Sequence, residues 1–230
     1  MPIPTPFHDR TSKLCTSYSW TDWAGYYAVC SYILPNDSEY YAIRHSAGII
    51  DITPLFKYEV GGPDAAAYLS RIMARNIQNI DVGQAVYCCW CNDYGKIVDD
   101  GTVFRLDEDR FRVHAAEPML AWFDQFKRGF NVAVEDITET ISAVAIQGPT
   151  SRDILKQLTD VEMDALAYYR VAAGKVDGLD AHISRSGFTG DLGYEIWVEN
   201  KAAPALWDGL MAAGKPYLLQ PAGLDVLDIT

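Results

Sequence analysis

The chain has 230 residues, 49% of them hydrophobic and 22% charged, with a formal net charge of -12. Such a length and balance belong to an ordered globular chain of one or two domains with a sizeable core, which excludes a disordered or low-complexity protein. The acidic surplus argues against nucleic-acid and anionic-membrane surfaces, both of which need a basic patch, so an anionic ligand would depend on a local arginine site.

Residues 1–40 are crowded with aromatics, among them Phe7, Tyr18, Trp20, Trp23, Tyr26, Tyr27 and Tyr32. Trp20 to Tyr27 has no helical period and reads as a lining loop. Its rings either hold a methylated cation by cation–π attraction or simply pack across the core. A short helix is expected from Glu39 through Ile43 and Arg44 towards Gly48, followed by a strand over Gly48–Asp51. Phe56 to Val60 alternates as a strand and runs into Gly61-Gly62-Pro63. The helix after it has apolar positions at Ala65, Tyr68, Leu69, Ile72 and Met73, with Asp64 suited to its positive end.

Three strands are expected over Ala85–Cys91, Ile97–Leu106 and Arg110–Ala115, joined by polar turns at 92–95 and 106–109. Pro118 to Phe126 reads as an amphipathic helix. Ile141 to Ile146 then alternates into Gln147-Gly148-Pro149, with Ile154, Leu155 and Leu158 at helical spacing beyond. This second strand–Gly-Pro–helix unit repeats the first and points to related βα modules in an α+β fold. Lys201 to Ala213 reads as a helix with Asn200 as cap and Gly214 as stop, and Pro221 onward as the start of another.

Cys88, Cys89 and Cys91 crowd one strand, but no second C-x-x-C or nearby His completes four metal ligands, so reduced thiols and no metal are expected. No run reaches the apolar length of a membrane span, and Met1–Arg10 lacks the pattern of a secretory signal; the expected location is the cytoplasm.

Ser184-Arg185-Ser186-Gly187-Phe188-Thr189-Gly190-Asp191-Leu192-Gly193-Tyr194-Glu195-Ile196 holds three glycines in seven residues, then an alternating run that reads as a half-buried strand. It resembles the S-R-T-G-Y-T-G-E-x-G-[FY]-E segment of the aminomethyltransferase (glycine-cleavage T-protein) family and its folate-dependent demethylase relatives. A second stretch, Tyr87 to Asp100, resembles that family's Y-x-x-x-x-N-x-x-G-G-[IV]-[IV]-D-D, with Lys96 in place of the second glycine. The resemblance implies mixed and antiparallel sheets with packed helices, built from ferredoxin-like βα modules. It also implies two intertwined subdomains, 1–50 with 140–230 and 51–139, and a C-terminal β-barrel domain that is expected to be missing here, as if by truncation.

The same resemblance implies tetrahydrofolate as cofactor and assigns the site. Asp100 matches the carboxylate beside the reactive N5, where it can stabilise a developing cationic nitrogen or move its proton. Glu195 matches the glutamate that binds the pterin, because a carboxylate accepts two hydrogen bonds from an amino-pyrimidine edge. Tyr87, Tyr168, Phe188 and Arg185 fall at cofactor-lining positions, and Trp20, Trp23 and Tyr26 are candidates for the substrate. Two departures stand out: Phe188 replaces a tyrosine, and His114 stands where V-N-A-A-N has Asn, which adds an acid–base option near neutrality. These tilt the expected reaction towards demethylation of a small methylated compound. The alternatives are aminomethyl transfer from a lipoyl carrier protein in glycine cleavage, and a folate-binding relative without turnover.

Overall fold

The computed structural model describes residues 1–230 and divides into two compact units, Met1–Pro54 with Thr140–Tyr168 and Ala172–Thr230, and Leu55–Glu139 with Tyr169–Val171. In chain order the first unit begins with α1 (His8–Leu14), β1 (Ser19–Trp23), β2 (Tyr26–Ser31), α2 (Asp37–His45) and β3 (Gly48–Asp51). The second unit holds β4 (Phe56–Gly61), α3 (Ala65–Ile72), β5 (Ala85–Cys91), β6 (Ile97–Asp107), β7 (Arg110–Ala115), α4 (Leu120–Gln125) and β8 (Ala133–Asp136). The chain then returns to the first unit with β9 (Ile141–Gln147), α5 (Ser151–Leu155), β10 (Val171–Val176), β11 (Leu179–Ser184), β12 (Gly193–Glu199), α6 (Ala203–Gly214), β13 (Gln220–Pro221) and α7 (Leu224–Leu227).

The first unit carries a six-stranded sheet in the order β10-β11-β12-β9-β3-β13, in which β13 runs parallel to β3 and β9 pairs antiparallel with both β12 and β3. Its core gathers Ile49, Val144, Ile146, Ile183, Tyr194 and Ile196 from the sheet and Leu206, Trp207 and Leu210 from α6. The second unit carries a five-stranded sheet, β5-β6-β7-β4-β8, in which every pairing is antiparallel. Tyr58, Val60, Trp90, Val103, Phe111 and Val113 pack there against Tyr68 and Leu69 of α3 and Phe123 of α4. This is the expected α+β architecture.

The repeated strand–Gly-Pro–helix unit falls once in each sheet. Gly62 has φ +129° and Gly148 φ +132°, where a Cβ would stand 2.6 Å from the Asn131 carbonyl oxygen and 2.5 Å from that of Ser46. Both glycines are therefore required twice over, by backbone conformation and by close approach. The proline after each then leads into α3 or α5.

Three local expectations change. Trp20 to Tyr27 is not a loop but the β1–β2 hairpin, which turns on Ala24 (φ 52°) and Gly25 (φ 83°). Two successive positive φ angles are the turn that matches strand twist, and the flanking aromatics favour strands. β12 is not half-buried: Gly193 to Val198 is buried on both faces, as a central strand between β11 and β9 must be once each face is covered. Asn200 does not cap α6; it lies in a 3₁₀ turn and its side-chain oxygen accepts from Ser142 Oγ at 2.8 Å. Asp64 stands at the N-terminal end of α3 as expected, and its carboxylate also accepts from the Asn131 N–H at 2.7 Å, tying down the segment before β8.

Candidate functional site

In the first unit, β11 ends at Ser184 and β12 begins at Gly193, and the loop between them wraps a cavity of about 290 Å³ lined by Tyr168, Arg185, Ser186, Gly187 and Asp191, among others. Glu195 follows on β12, 6% exposed. The Ser186 hydroxyl lies 2.9 Å from Glu195 Oε1 and 2.9 Å from Ser184 Oγ. Because a carboxylate only accepts, the single Ser186 proton goes to Glu195 and Ser184 supplies the other hydrogen bond. Glu195 is thus an internal, oriented carboxylate that reaches the cavity wall through Ser186.

Tyr168 and Arg185 share that wall, and the guanidinium is steered by donation from Arg185 Nη1 to the Leu166 carbonyl at 3.2 Å. Phe188 lies in the same loop, yet its ring is exposed and does not line this cavity. The loop is braced from α2, where Arg44 donates to the Thr189 carbonyl at 2.8 Å and ion-pairs with Asp191. Sequence reasoning missed Arg44 in this role; nothing in its local pattern distinguishes it from an ordinary basic residue in the last turn of a helix.

The hairpin residues do not form one wall. Trp23 and Tyr26 are direct cross-strand partners and so share a face, whereas Trp20 is three residues from Trp23 and points to the other side. There Trp20 packs with Cys15, Val29 and Tyr32, its ring centroid 5.2 Å from that of His8. A three-ring cage from Trp20, Trp23 and Tyr26 is therefore excluded, while Trp23 and Tyr26 remain paired.

In the second unit, β5 and β6 set Cys89 opposite Asp100 and Tyr87 opposite Thr102. The Tyr87 hydroxyl donates to Asp100 Oδ2, so these two candidates meet. Their neighbour Asp99 points the other way, is buried, and accepts from the Glu117 N–H at 3.1 Å. The adjacent aspartates thus divide as strand alternation requires, one structural and one accessible. Gly101 follows them, where a Cβ would stand 1.9 Å from the carbonyl oxygen of His114.

His114 itself lies on β7 between Lys57 of β4 and Thr102 of β6. It is fully buried, 4.9 Å ring to ring from Phe104, and burial first, then the nearby charges of Lys57 and Arg112, push its pKa well below the usual imidazole range. The expectation of an imidazole titrating near neutrality is corrected: the ring is neutral at pH 7 and offers one donor and one acceptor. The cause is desolvation, which penalises the charged form.

A pH dependence follows. Unfolded histidine titrates near ~6.5, so below that pH the unfolded chain takes up a proton that the folded chain refuses, and stability falls as pH falls. Each pH unit below that point should shift the unfolding equilibrium about tenfold, until the folded ring itself titrates. Denaturant midpoints of the wild type and His114→Asn at pH 7.5 and 5.5 should therefore diverge, with the wild type losing more; parallel losses would refute the buried neutral ring.

No group of three or more His, Cys, Asp or Glu side chains stands close enough to hold a metal ion, and no helix is long and apolar enough to cross a membrane. Burial pushes the Cys88 thiol up to about 11, which makes it an inert core residue.

Comparison with known proteins adds the following. The family described as GCVT N-terminal domain matches residues 8–230. An aminomethyltransferase of Streptomyces avermitilis is 38% identical over 90% of this chain and 57% of its own length. A trimethylamine-oxide aldolase of Ruegeria pomeroyi is 33% identical over 98% of this chain and 30% of its own length. The chain thus spans little more than half of the first of these curated relatives, and less of the second. Among solved structures, the glycine cleavage system aminomethyltransferase T of Bartonella henselae superposes with a TM-score of 0.88 at 25% identity, covering 99% of this chain and 61% of the other. A heterotetrameric sarcosine oxidase of Corynebacterium sp. U-96 shares the fold, with a TM-score of 0.61 at 11% identity over 93% of this chain and 95% of the other.

Proposed function

The chain belongs to the GCVT N-terminal domain family, and from that premise we propose that it serves a tetrahydrofolate-dependent one-carbon transfer, taking a methyl group from a small methylated compound. The observation that carries this reading is the buried Glu195 carboxylate, oriented by Ser186 in the glycine-rich loop. The donor set fits the cofactor. A fixed carboxylate accepts from an amino-pyrimidine edge, and the cavity beside it offers the Tyr168 ring and the Arg185 cation, the latter suited to an anionic end.

Tetrahydrofolate, when bound, supplies the N5 nucleophile that receives the one-carbon unit. In the first unit Glu195, oriented by Ser186, would hold the pterin. In the second unit Asp100, with the Tyr87 hydroxyl on it, is a carboxylate that could stabilise a developing positive charge and take up a proton. His114, neutral and buried on β7, is out of reach of a donor, so the expected catalytic role falls to Asp100 alone. Trp23, partly exposed beside the largely buried Tyr26, is the proposed contact for a methylated cation. The lean to a small methylated donor is supported by the relative named for trimethylamine oxide. The relatives named aminomethyltransferase support a second reading, glycine cleavage with a lipoyl carrier protein as partner. The cytoplasm is the compartment proposed for either.

The test is an assay of the purified chain with tetrahydrofolate and a panel of small methylated amines and sulfur compounds. The reading predicts release of the demethylated product only when tetrahydrofolate is present. Turnover confined to an aminomethyl-loaded lipoyl carrier would favour the second reading, and binding without turnover on any donor would leave only a folate-binding role.

A further inference from the structure

We propose that Gln147 is a positioning residue that fixes the Glu195 carboxylate through the backbone of the glycine-rich loop; its consequence for ligand binding rests on the folate reading of Glu195. Gln147 is the last residue of β9, 1% exposed, and pairs directly with Gly193. Its amide fills the space in which side chains on Gly187 of the loop and Gly193 at the start of β12 would otherwise stand. A Cβ on Gly193 would lie 1.9 Å from Gln147 Oε1, and one on Gly187 would lie 2.2 Å from the same atom. Both glycines therefore make room for this amide.

The amide uses both of its functions. Nε2 donates to the Ser186 carbonyl at 3.2 Å, and Oε1 accepts from Thr189 Oγ1 at 3.0 Å. Ser186, whose carbonyl is held in this way, is the residue whose hydroxyl reaches Glu195. A chain of contacts therefore runs from Gln147 through Ser186 to the carboxylate, and Thr189 is fixed in the middle of the loop. The chemistry specifies glutamine: glutamate has no donor for the Ser186 carbonyl, methionine fills the volume without hydrogen bonds, and asparagine is one methylene too short to span the loop. Sequence reasoning treated Gln147 only as the residue before a Gly-Pro turn.

The test compares the wild type with Gln147→Met, Glu195→Gln and the double variant, by calorimetric titration with tetrahydrofolate and by the ¹³C resonance of the Glu195 carboxylate, which is identified by its loss in Glu195→Gln. Gln147→Met should weaken tetrahydrofolate binding ten- to a hundredfold in the wild-type background and less than about twofold in the Glu195→Gln background, because a group acting through Glu195 has nothing left to position. It should also shift the Glu195 resonance. Equal losses in both backgrounds would show a general structural role and overturn the proposal. If the wild type binds no tetrahydrofolate, the folate reading fails, and the resonance alone decides the role of Gln147: a shift sustains it and an unmoved signal overturns it. Should Gln147→Met not fold, Thr189→Val removes only one of the two loop bonds and is read in the same way.

Discussion

Asp100→Asn should lower tetrahydrofolate-dependent turnover by about a hundred- to ten-thousandfold, the range typical of removing a positioned acid–base group. The substitution is close to neutral for the fold. Asp100 is only partly buried, it is held by no ion pair, and an asparagine oxygen still accepts from the Tyr87 hydroxyl. What is lost is the negative charge and the ability to take a proton. The circular dichroism spectrum and melting temperature should match the wild type while product release collapses. Substituting the neighbour gives the converse. Asp99 accepts from the Glu117 N–H in the interior, so Asp99→Asn acts on stability and leaves the chemistry in place. Turnover within threefold of the wild type in Asp100→Asn would remove that carboxylate from the reaction.

Gly101→Ala should be the most damaging small substitution for stability. Its Cβ would stand 1.9 Å from the His114 carbonyl oxygen, 3.0 Å from the His114 carbonyl carbon and 3.4 Å from the Ala115 Cα, all of them backbone atoms of β7. No side chain can swing aside, so β6 and β7 must separate where Gly101 pairs with Ala115. Overpacking of this kind costs typically ~1–3 kcal/mol, and a clash with backbone belongs at the upper end. For a chain of this size that corresponds to a fall in melting temperature of roughly 6–12 °C. Because the strain falls between Asp100 and His114, turnover should drop as well, even well below the melting point. An unchanged melting temperature would mean that the two strands are not packed as described.

Much of the fold was legible because the second unit is built from strands with strong β propensity, joined by polar turns. Ala85–Cys91 and Arg110–Ala115 were read with their observed limits, and Ile97–Leu106 to within one residue. The paired Gly-Pro turns were legible too, since glycine at positive φ followed by proline is a local requirement. The β10–β11 hairpin was missed. Its strands, Val171–Val176 and Leu179–Ser184, are short and rich in small and charged residues. Its signal was present nonetheless in Asp177-Gly178, both at positive φ, the dipeptide most suited to a two-residue turn. The same type of turn, on Ala24-Gly25, was hidden among aromatics that suggested a ligand wall.

At the site, a motif identifies which residues to consider but says little about their surroundings. Glu195 alternates with Tyr194 and Ile196 in the manner of an outward-facing residue, and only the cover on both faces of β12 makes it a buried carboxylate. His114 likewise carries no mark in the sequence of the desolvation that keeps it neutral. Burial of this kind is set by tertiary packing, to which a period-two pattern is blind. Gln147 and Arg44 escaped notice for the same reason, because each acts on a loop more than thirty residues distant in sequence.

The most direct measurement is a calorimetric titration of the chain with tetrahydrofolate, with Glu195→Ala alongside. Saturable binding to the wild type, weakened at least tenfold in Glu195→Ala without loss of folded structure, is the predicted result. Equal binding by the two proteins, or none by a folded wild type, would contradict the assignment of this chain as a folate site built on Glu195.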